Sequence, residues 1–428
     1  MCPQTPSVTA YILSNDLVKA SSQLPSNKNR SLIVHSLIKA LRLLSVQPQC
    51  EIQPLKLMRP APATTSELSI YHSREYLEYV LNPRNFSADG SPLDPEQAAE
   101  FGIEEDCPWF PELPSYVRLV AGATLTAANA LIHGHANIAI NWEGGRHHAQ
   151  KEQASGFCYV SDCVLAILAL KRSRLPAPSS PALLASKKPR IMYLDLDLHF
   201  SDGVSHVFHK TAGIPQILSL SIHHSAPGFF PASALSALPP ESPPESSSEF
   251  DPFTLSVPLA AGASSRTFAS VWLGSVEKVK NALNPDYVVV QCGVDGLAGD
   301  QFGIWNWCLG ESEDASQSDE GSLGWCIRRI CHSWGCKILL LGGGGYNSPN
   351  AARAWAYITS IALNQPLSLN TQIPDHPFFP MYAPSFTLDV PPGTLPDQNT
   401  DAYLQDIDRR FDWVCEGIRK RLAQFQYQ

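Results

Sequence analysis

No C-x-x-C pair occurs in this chain, and its 11 cysteines fall at irregular spacing. That pattern offers neither a thiolate zinc knuckle nor a disulfide framework, and it predicts reduced, intracellular thiols. No apolar run reaches the roughly 18–20 residues that a membrane span needs, and no charged-then-apolar leader opens the sequence, so neither insertion nor secretion is expected. Basic residues are in deficit: 31 Lys and Arg stand against 40 Asp and Glu, a net charge of −9. This excludes an overall electrostatic drive toward nucleic acid or an anionic membrane, although a local acidic rim suits a basic protein tail. No basic import cluster stands out, so nucleus and cytoplasm are both expected locations. Internal repeats are absent, and so is any Gly-Lys-Ser/Thr ending to a glycine run, which weakens a phosphate-cradling reading.

What is present is ample apolar material. The 428 residues are 44% hydrophobic and 17% charged, enough for a large core. Short apolar runs recur as candidate strands: Tyr11–Ser14, Glu51–Leu55, Ala136–Asn141, Arg190–Leu198, Gln216–Ile222, Phe253–Leu259, Tyr287–Gly293 and Lys337–Gly342. Several are continuous rather than alternating, as in strands buried on both faces of a parallel sheet. Helical periodicity covers Arg30–Leu44, Tyr116–His133, Ser161–Arg172, Ser264–Leu283, Leu323–Trp334, Asn350–Ile361 and Asp401–Phe425. This alternation predicts an α/β fold: a single three-layer α/β/α domain over residues 1–428 around a mostly parallel, eight-stranded, doubly wound sheet. Ligands in such folds gather at the carboxyl ends of the strands. The Pro-, Ser- and acid-rich segments Ser173–Pro189, Pro231–Phe250 and Glu311–Gly321 are expected to be flexible surface insertions.

The run Ile191-Met-Tyr-Leu-Asp-Leu-Asp-Leu-His199 reads as a buried strand ending in Asp195, Asp197 and His199, spaced two residues apart. Strand alternation predicts that all three point to one face. Two carboxylates and an imidazole beside an apolar run need compensation, and a divalent cation bound by O and N ligands supplies it. The rival reading is a strand end facing solvent or capping the next helix. Asp295, between Gly293 and Gly296 after another strand, is a candidate third ligand, though taken alone it more simply caps its turn.

His147 and His148 emerge after Gly144-Gly145 at a strand's carboxyl end, as expected of a general acid–base pair, with Asp195 and Asp202 as orienting carboxylates. The Leu341-Gly-Gly-Gly-Gly-Tyr346 run suits a mobile or closely approached backbone that delivers the Tyr346 hydroxyl to an oxyanion. Cys158 and Cys292 lie in apolar runs and read as core rather than as nucleophiles. His223 and His224 follow another strand and receive no catalytic role.

Asn141–Ala149, Ala154–Tyr159, Tyr193–Gly203, Pro227–Pro231, Cys292–Asp300 and Leu341–Tyr346, with Arg30–His35 and Pro374–Phe379, together resemble the zinc-dependent class I histone deacetylases of the arginase/deacetylase superfamily. The likeness runs from about Tyr11 to about Tyr382 and is nearer to the small, branch-specific members than to the large corepressor-bound ones. The resemblance implies a hydrolase that removes acetyl groups from Nε-acetyl-lysine by metal-activated water. Asp197, His199 and Asp295 match the family's zinc ligands, with Fe2+ able to replace Zn2+. His148 matches the proton carrier, His147 its electrostatic partner, and Asp195 and Asp202 their carboxylates. Tyr346 matches the hydroxyl that polarises the acetyl oxygen. Gly156, Phe157 and Phe230 match a narrow lysine tunnel, with Phe302 at its rim, and Asp106 matches the aspartate that holds the substrate backbone. A structural K+ is implied at Asp195, Asp197, His199, Ser221 and the Ile222 carbonyl.

The implied partners are acetylated proteins, either histone tails or non-histone chromatin proteins such as cohesin subunits, with no direct nucleic acid contact. Three departures stand out. Phe200 replaces a second histidine, which removes a polar contact behind the ligands. Arg146 replaces an apolar residue, so its charge either guides acetate or closes the inner space. Gln301 stands where corepressor-associated members carry Arg, which weakens corepressor recruitment. The rival readings are an acetylpolyamine or other small-amide deacetylase and a catalytically silent scaffold. An arginase-like dinuclear manganese site is disfavoured, because Asp197–Asp202 supplies too few bridging ligands.

Overall fold

The computed structural model describes residues 8–45, 55–176, 186–211, 216–244, 250–310 and 319–424. Eight strands form one sheet: β1 (Thr9–Ile12), β2 (Leu55–Met58), β3 (Ile138–Asn141), β4 (Ile191–Asp195), β5 (Ile217–His224), β6 (Thr254–Leu259), β7 (Tyr287–Gln291) and β8 (Lys337–Leu341). Their order is β2-β1-β3-β8-β7-β4-β5-β6, and every pairing is parallel. The expected sheet was mostly parallel; among the described residues it is wholly so.

Alternation along the central strands explains why their sequences are continuously apolar. Met192, Leu194, Val288, Val290, Ile338 and Leu340 enter one core, while Tyr193, Val289 and Leu339 enter the other. A strand buried on both faces has no position left for a polar residue until it ends. One face is covered by helices that include α1 (Arg30–Ala40), and the other by α2 (Leu113–Ile132) and α3 (Asp162–Arg172). Further along the chain, α4 (Leu323–Ser333), α5 (Ser348–Ala362) and α6 (Asp401–Gln424) join α1 on the first face.

The register fixes where chemistry can collect. Asn141 lies opposite Leu341, Leu341 opposite Gln291, Gln291 opposite Asp195, and Asp195 opposite Ser221. Four loops therefore leave the sheet in one row, beginning at Trp142, Gly342, Cys292 and Leu196. From β2 to β6 the chain moves across the sheet in one direction and then returns to β7 and β8, so it leaves the adjacent strands β4 and β7 in opposite directions and a crevice opens at their carboxyl ends.

Boundaries differ from expectation at several places. The first strand stops at Ile12 because Ser14 leaves the sheet to cap the helix Asn15–Ser21, its hydroxyl accepting from the Leu17 N–H. The second strand is Leu55–Met58, with residues 51–54 outside the described residues, and it is the partly exposed edge of the sheet. The helix expected over Ser264–Leu283 is interrupted by a π-turn at Trp272–Val276 between Ser265–Val271 and Glu277–Leu283. Of the expected insertions, residues 177–185, 245–249 and 311–318 lie outside the described residues. Leu175–Pro176 and Ser186–Lys187, which flank the first, pair as a short antiparallel ladder.

Candidate active site

The strand bearing Asp195 ends there rather than at Leu198. Its carboxylate turns the chain out of the sheet: Asp195 Oδ1 accepts from the Asp197 N–H at 3.0 Å, and Asp197 Oδ1 accepts from the His199 N–H at 3.1 Å. Such side-chain-to-backbone bonds two residues apart replace the ladder with successive turns. The expectation that strand alternation sends three side chains to one face is corrected here. Asp197 and His199 reach the site through these turns, and Leu198 N–H bonds to Asp295 Oδ1 at 3.0 Å.

Asp295 arrives from the loop after β7. Ligand atoms of Asp197, His199 and Asp295 lie within 4.8 Å of one another, the last two residues meeting at 3.0 Å from His199 Nδ1 to Asp295 Oδ2. Glycines make this approach possible. A Cβ on Gly344 would sit 2.2 Å from Asp295 Oδ2, and one on Gly293 would sit 2.1 Å from Asp197 Oδ2. In the same run, a Cβ on Gly343 would meet the Gln291 amide at 2.3 Å. Of the two uses expected for Gly342–Gly345, close backbone approach is the one observed. The loop's end is pinned by Asp300, whose Oδ2 accepts from the Tyr346 N–H at 2.6 Å and the Asn347 N–H at 2.8 Å.

The histidine pair follows the Gly144-Gly145 turn after β3. Asp162, at the start of α3, holds this turn by accepting from the Gly145 N–H at 3.0 Å and the Arg146 N–H at 2.8 Å. His147 Nδ1 donates to Asp195 Oδ2 at 2.8 Å, and His148 Nδ1 donates to Asp202 Oδ1 at 2.7 Å. Each ring thereby keeps Nε2 for the site. Burial works against a charged imidazole at both positions, yet the two diverge. At His147 the carboxylates of Asp195 and Asp197 outweigh burial and lift the pKa to about 9. At His148 burial, joined by the charge of His147, holds the pKa below the ordinary value.

The cluster of Asp197, His199 and Asp295 is electrostatically overfilled with acid. Burial and the neighbouring Asp197 raise Asp295 to about 7, while burial at Asp197 is overcome by His147 and His199, which keep its carboxyl well below the usual range. Burial at His199 is likewise overcome by its bonds to Asp197 and Asp295, which lift it to about 10. Two buried carboxylates thus share one imidazole. A divalent cation relieves both, and two carboxylate oxygens with one imidazole nitrogen fit such an ion while leaving coordination positions for substrate.

Aromatic rings enclose the opening. Phe230 lies 4.9 Å from the His148 ring, Phe157 lies 5.6 Å from Tyr346, and Phe302 lies 4.8 Å from Tyr346. Gly156 packs on His148, since a Cβ there would stand 2.4 Å from His148 Cδ2. Asp106 reaches the same rim, where its Oδ2 accepts from the Gly156 N–H at 2.7 Å.

The family model described as the histone deacetylase domain matches residues 24–362. The chain belongs to the class I histone deacetylases. It is 34% identical over 398 residues to histone deacetylase 8 of Danio rerio, covering 93% of this chain and 92% of the relative. The same identity and coverage of this chain hold for histone deacetylase 8 of Xenopus tropicalis, with 95% of that protein covered. Histone deacetylase 9 of Arabidopsis thaliana is 32% identical over 398 residues, covering 92% of this chain and 81% of the relative. This deacetylase is accordingly a hydrolase of acetylated lysine in proteins, of a metal-dependent family, built on an eight-stranded parallel sheet.

Two of its three departures can be read in the structure. Phe200 is buried with its ring 4.9 Å from His223, so an aromatic contact stands in place of the polar one whose loss was expected. Arg146 is buried and folds back on its own turn, its Nε and Nη2 donating to the Glu143 carbonyl at 3.1 and 2.9 Å. Cys158 and Cys292 are buried, and burial lifts the first thiol to about 12 and the second well above its ordinary value, in keeping with core roles.

Several contributors escaped the sequence reading. Gln291 Nε2 donates to Asp197 Oδ2 at 2.7 Å, and its Oε1 accepts from the Gly293 N–H at 2.7 Å. Its signal was a lone amide ending a run of valines. Arg30 donates from Nη1 to the Gly343 and Gly345 carbonyls at 3.0 and 2.8 Å, holding the glycine loop from behind. Nothing local in its helix announces that contact, which spans more than three hundred residues.

Proposed function

We propose that this deacetylase removes acetyl groups from Nε-acetyl-lysine with Zn2+ held by Asp197, His199 and Asp295, and with His148 and Tyr346 as its proton carrier and oxyanion donor. The observation that carries the reading is the convergence of three metal-competent side chains within 4.8 Å inside a ring of aromatic residues. When bound, the ion polarises the amide carbonyl and acidifies a water. Fe2+ suits the same donors.

The protein's own groups do the rest. His148, kept neutral by burial and by its cationic neighbour, accepts a proton from water at Nε2 and returns it to the leaving amine. His147, held protonated by Asp195, stabilises negative charge as it develops. The Tyr346 hydroxyl donates to the acetyl oxygen, and burial beside Asp295 and Asp197 raises its pKa well above the ordinary value, so it keeps its proton. Phe157 and Phe230 grip the apolar lysine stem, with Gly156 giving it passage and Phe302 at the mouth. Asp106, with one oxygen on Gly156, offers the other to the substrate backbone. A structural K+ at Asp195, Asp197, His199, Ser221 and the Ile222 carbonyl belongs to the same reading. Single-domain organisation over residues 1–428 does too.

The substrates are acetylated histone tails or non-histone chromatin proteins such as cohesin subunits, met in the nucleus or the cytoplasm. Among the described residues no helix is long and apolar enough to cross a membrane. Gln301 is exposed and uncharged, so a corepressor bridged by polyphosphate is not part of the proposal. The test is acetate release by zinc-loaded protein from a panel of acetyl-lysine peptides and acetylpolyamines. Faster turnover of peptides is expected. Turnover confined to the polyamines, or absent from all, would overturn the reading.

A further inference from the structure

Beside the tunnel, and separated from it by Phe230, lies a second cleft of about 480 Å3. Its walls include Phe200, Phe229, Phe230 and Ser233, and His224 lines it as well. Phe229 is sandwiched there, stacked on His199 at 5.2 Å and edge-on to His224 at 4.6 Å. No carboxylate, lysine or arginine lines the cleft.

The lining also includes His223, Ser225 and Ser236, and His223 engages both ring nitrogens, with the Ser221 hydroxyl and the Ser236 carbonyl; His224 differs. It is 5% exposed, and its Nδ1 donates to the Leu259 carbonyl at 2.9 Å. That bond places the proton on Nδ1 and leaves Nε2 as a lone-pair acceptor. Nε2 has no hydrogen-bond partner among the described residues. An acceptor left open in an uncharged cleft walled by three phenylalanines calls for a neutral donor carried on a flat apolar body. A lysine or arginine would lose its hydration there without gaining a carboxylate. Because Phe230 forms a wall of both spaces, whatever fills the second is presented together with the acetyl-lysine.

We infer that the cleft lined by Phe200, Phe229 and His224 is a subsite for a tyrosine flanking the acetyl-lysine of the substrate, its hydroxyl donating to His224 Nε2. This deepens the deacetylase reading above and rests on it. The subsite depends on this chain's own Phe200, which makes apolar a wall where the family's motif carries histidine.

The test measures kcat/KM of the full-length, zinc-loaded protein on acetyl-lysine peptides carrying Tyr, Phe, O-methyl-tyrosine or Ala at each flanking position in turn. At one position Tyr should exceed both Phe and O-methyl-tyrosine by about three- to ten-fold, the range of one neutral hydrogen bond. His224→Leu should abolish that preference while leaving turnover of the Ala peptide unchanged, and His224→Gln, which keeps an acceptor, should retain part of it. Equal turnover of Tyr and O-methyl-tyrosine peptides at every position would overturn the subsite without needing any variant to fold. So would a Tyr preference that survives in His224→Leu. If no peptide is turned over at all, the deacetylase reading falls and the subsite with it.

Discussion

At the scale of single residues, the two adjacent histidines show how neighbours of similar burial acquire different work. Their ring centroids are 4.0 Å apart, so one positive charge discourages a second. His147 faces Asp195 and also comes within 3.7 Å of Asp197, whereas His148 has only Asp202. The charge settles on His147, and His148 is left neutral with a free Nε2. His148→Ala should therefore lower kcat more than His147→Ala, as single-turnover acetate release would record. The reverse order would move the proton carrier to His147. Tyr346→Phe removes the proposed oxyanion donor without touching the proposed ligands, so kcat should fall about 10²- to 10³-fold with zinc stoichiometry unchanged by metal analysis. Equal turnover in that variant would take Tyr346 out of the mechanism.

At the scale of elements, the glycine run after β8 is as much part of the site as the proposed ligands. Its backbone lies so near Asp295 and Asp197 that the smallest added side chain displaces a carboxylate. Gly344→Ala should lose bound zinc and activity together, with far-UV circular dichroism unchanged, because the sheet beneath is untouched. Retention of zinc would show that the loop yields instead. This also marks how much was legible beforehand. The central strands announced themselves as continuous apolar runs, and polar residues that follow them, Asp197, His199 and Asp295, converge in one cluster. The half-exposed edge strand Leu55–Met58 has no such run, and it continues past the expected end at Leu55. The strand end at Asp195 was misjudged for another reason: Leu196 and Leu198 extend the apolar pattern, while bonds from Asp195 and Asp197 to the backbone end the ladder. Contacts such as Arg30 to Gly343 join residues far apart in the chain, and no local pattern encodes them.

At the scale of the whole molecule, stability and the site share a need for uncharged histidine. His72 is buried between segments distant in sequence: its Nε2 accepts from the Ser161 N–H at 3.0 Å, and its Nδ1 donates to the Lys151 carbonyl at 3.2 Å. Only the neutral Nδ1–H tautomer satisfies both bonds. Burial depresses its folded-state pKa to about 4, against an ordinary 6.5. Above pH 6.5 neither folded nor unfolded chain protonates here, and the full stability is present. As pH falls below 6.5 the unfolded chain takes up a proton that the folded one refuses, so stability drains away until about pH 4, where both carry it. The depression corresponds to roughly 3 kcal/mol over that window. His72→Gln, whose amide offers one acceptor and one donor, should lose less stability than the parent between pH 7 and pH 4.5. Urea unfolding at those two values should give a difference smaller by about 2–3 kcal/mol in the variant. An identical acid loss in both proteins would mean that His72 ionises in the folded state at its ordinary pKa, with the bond from Ser161 broken.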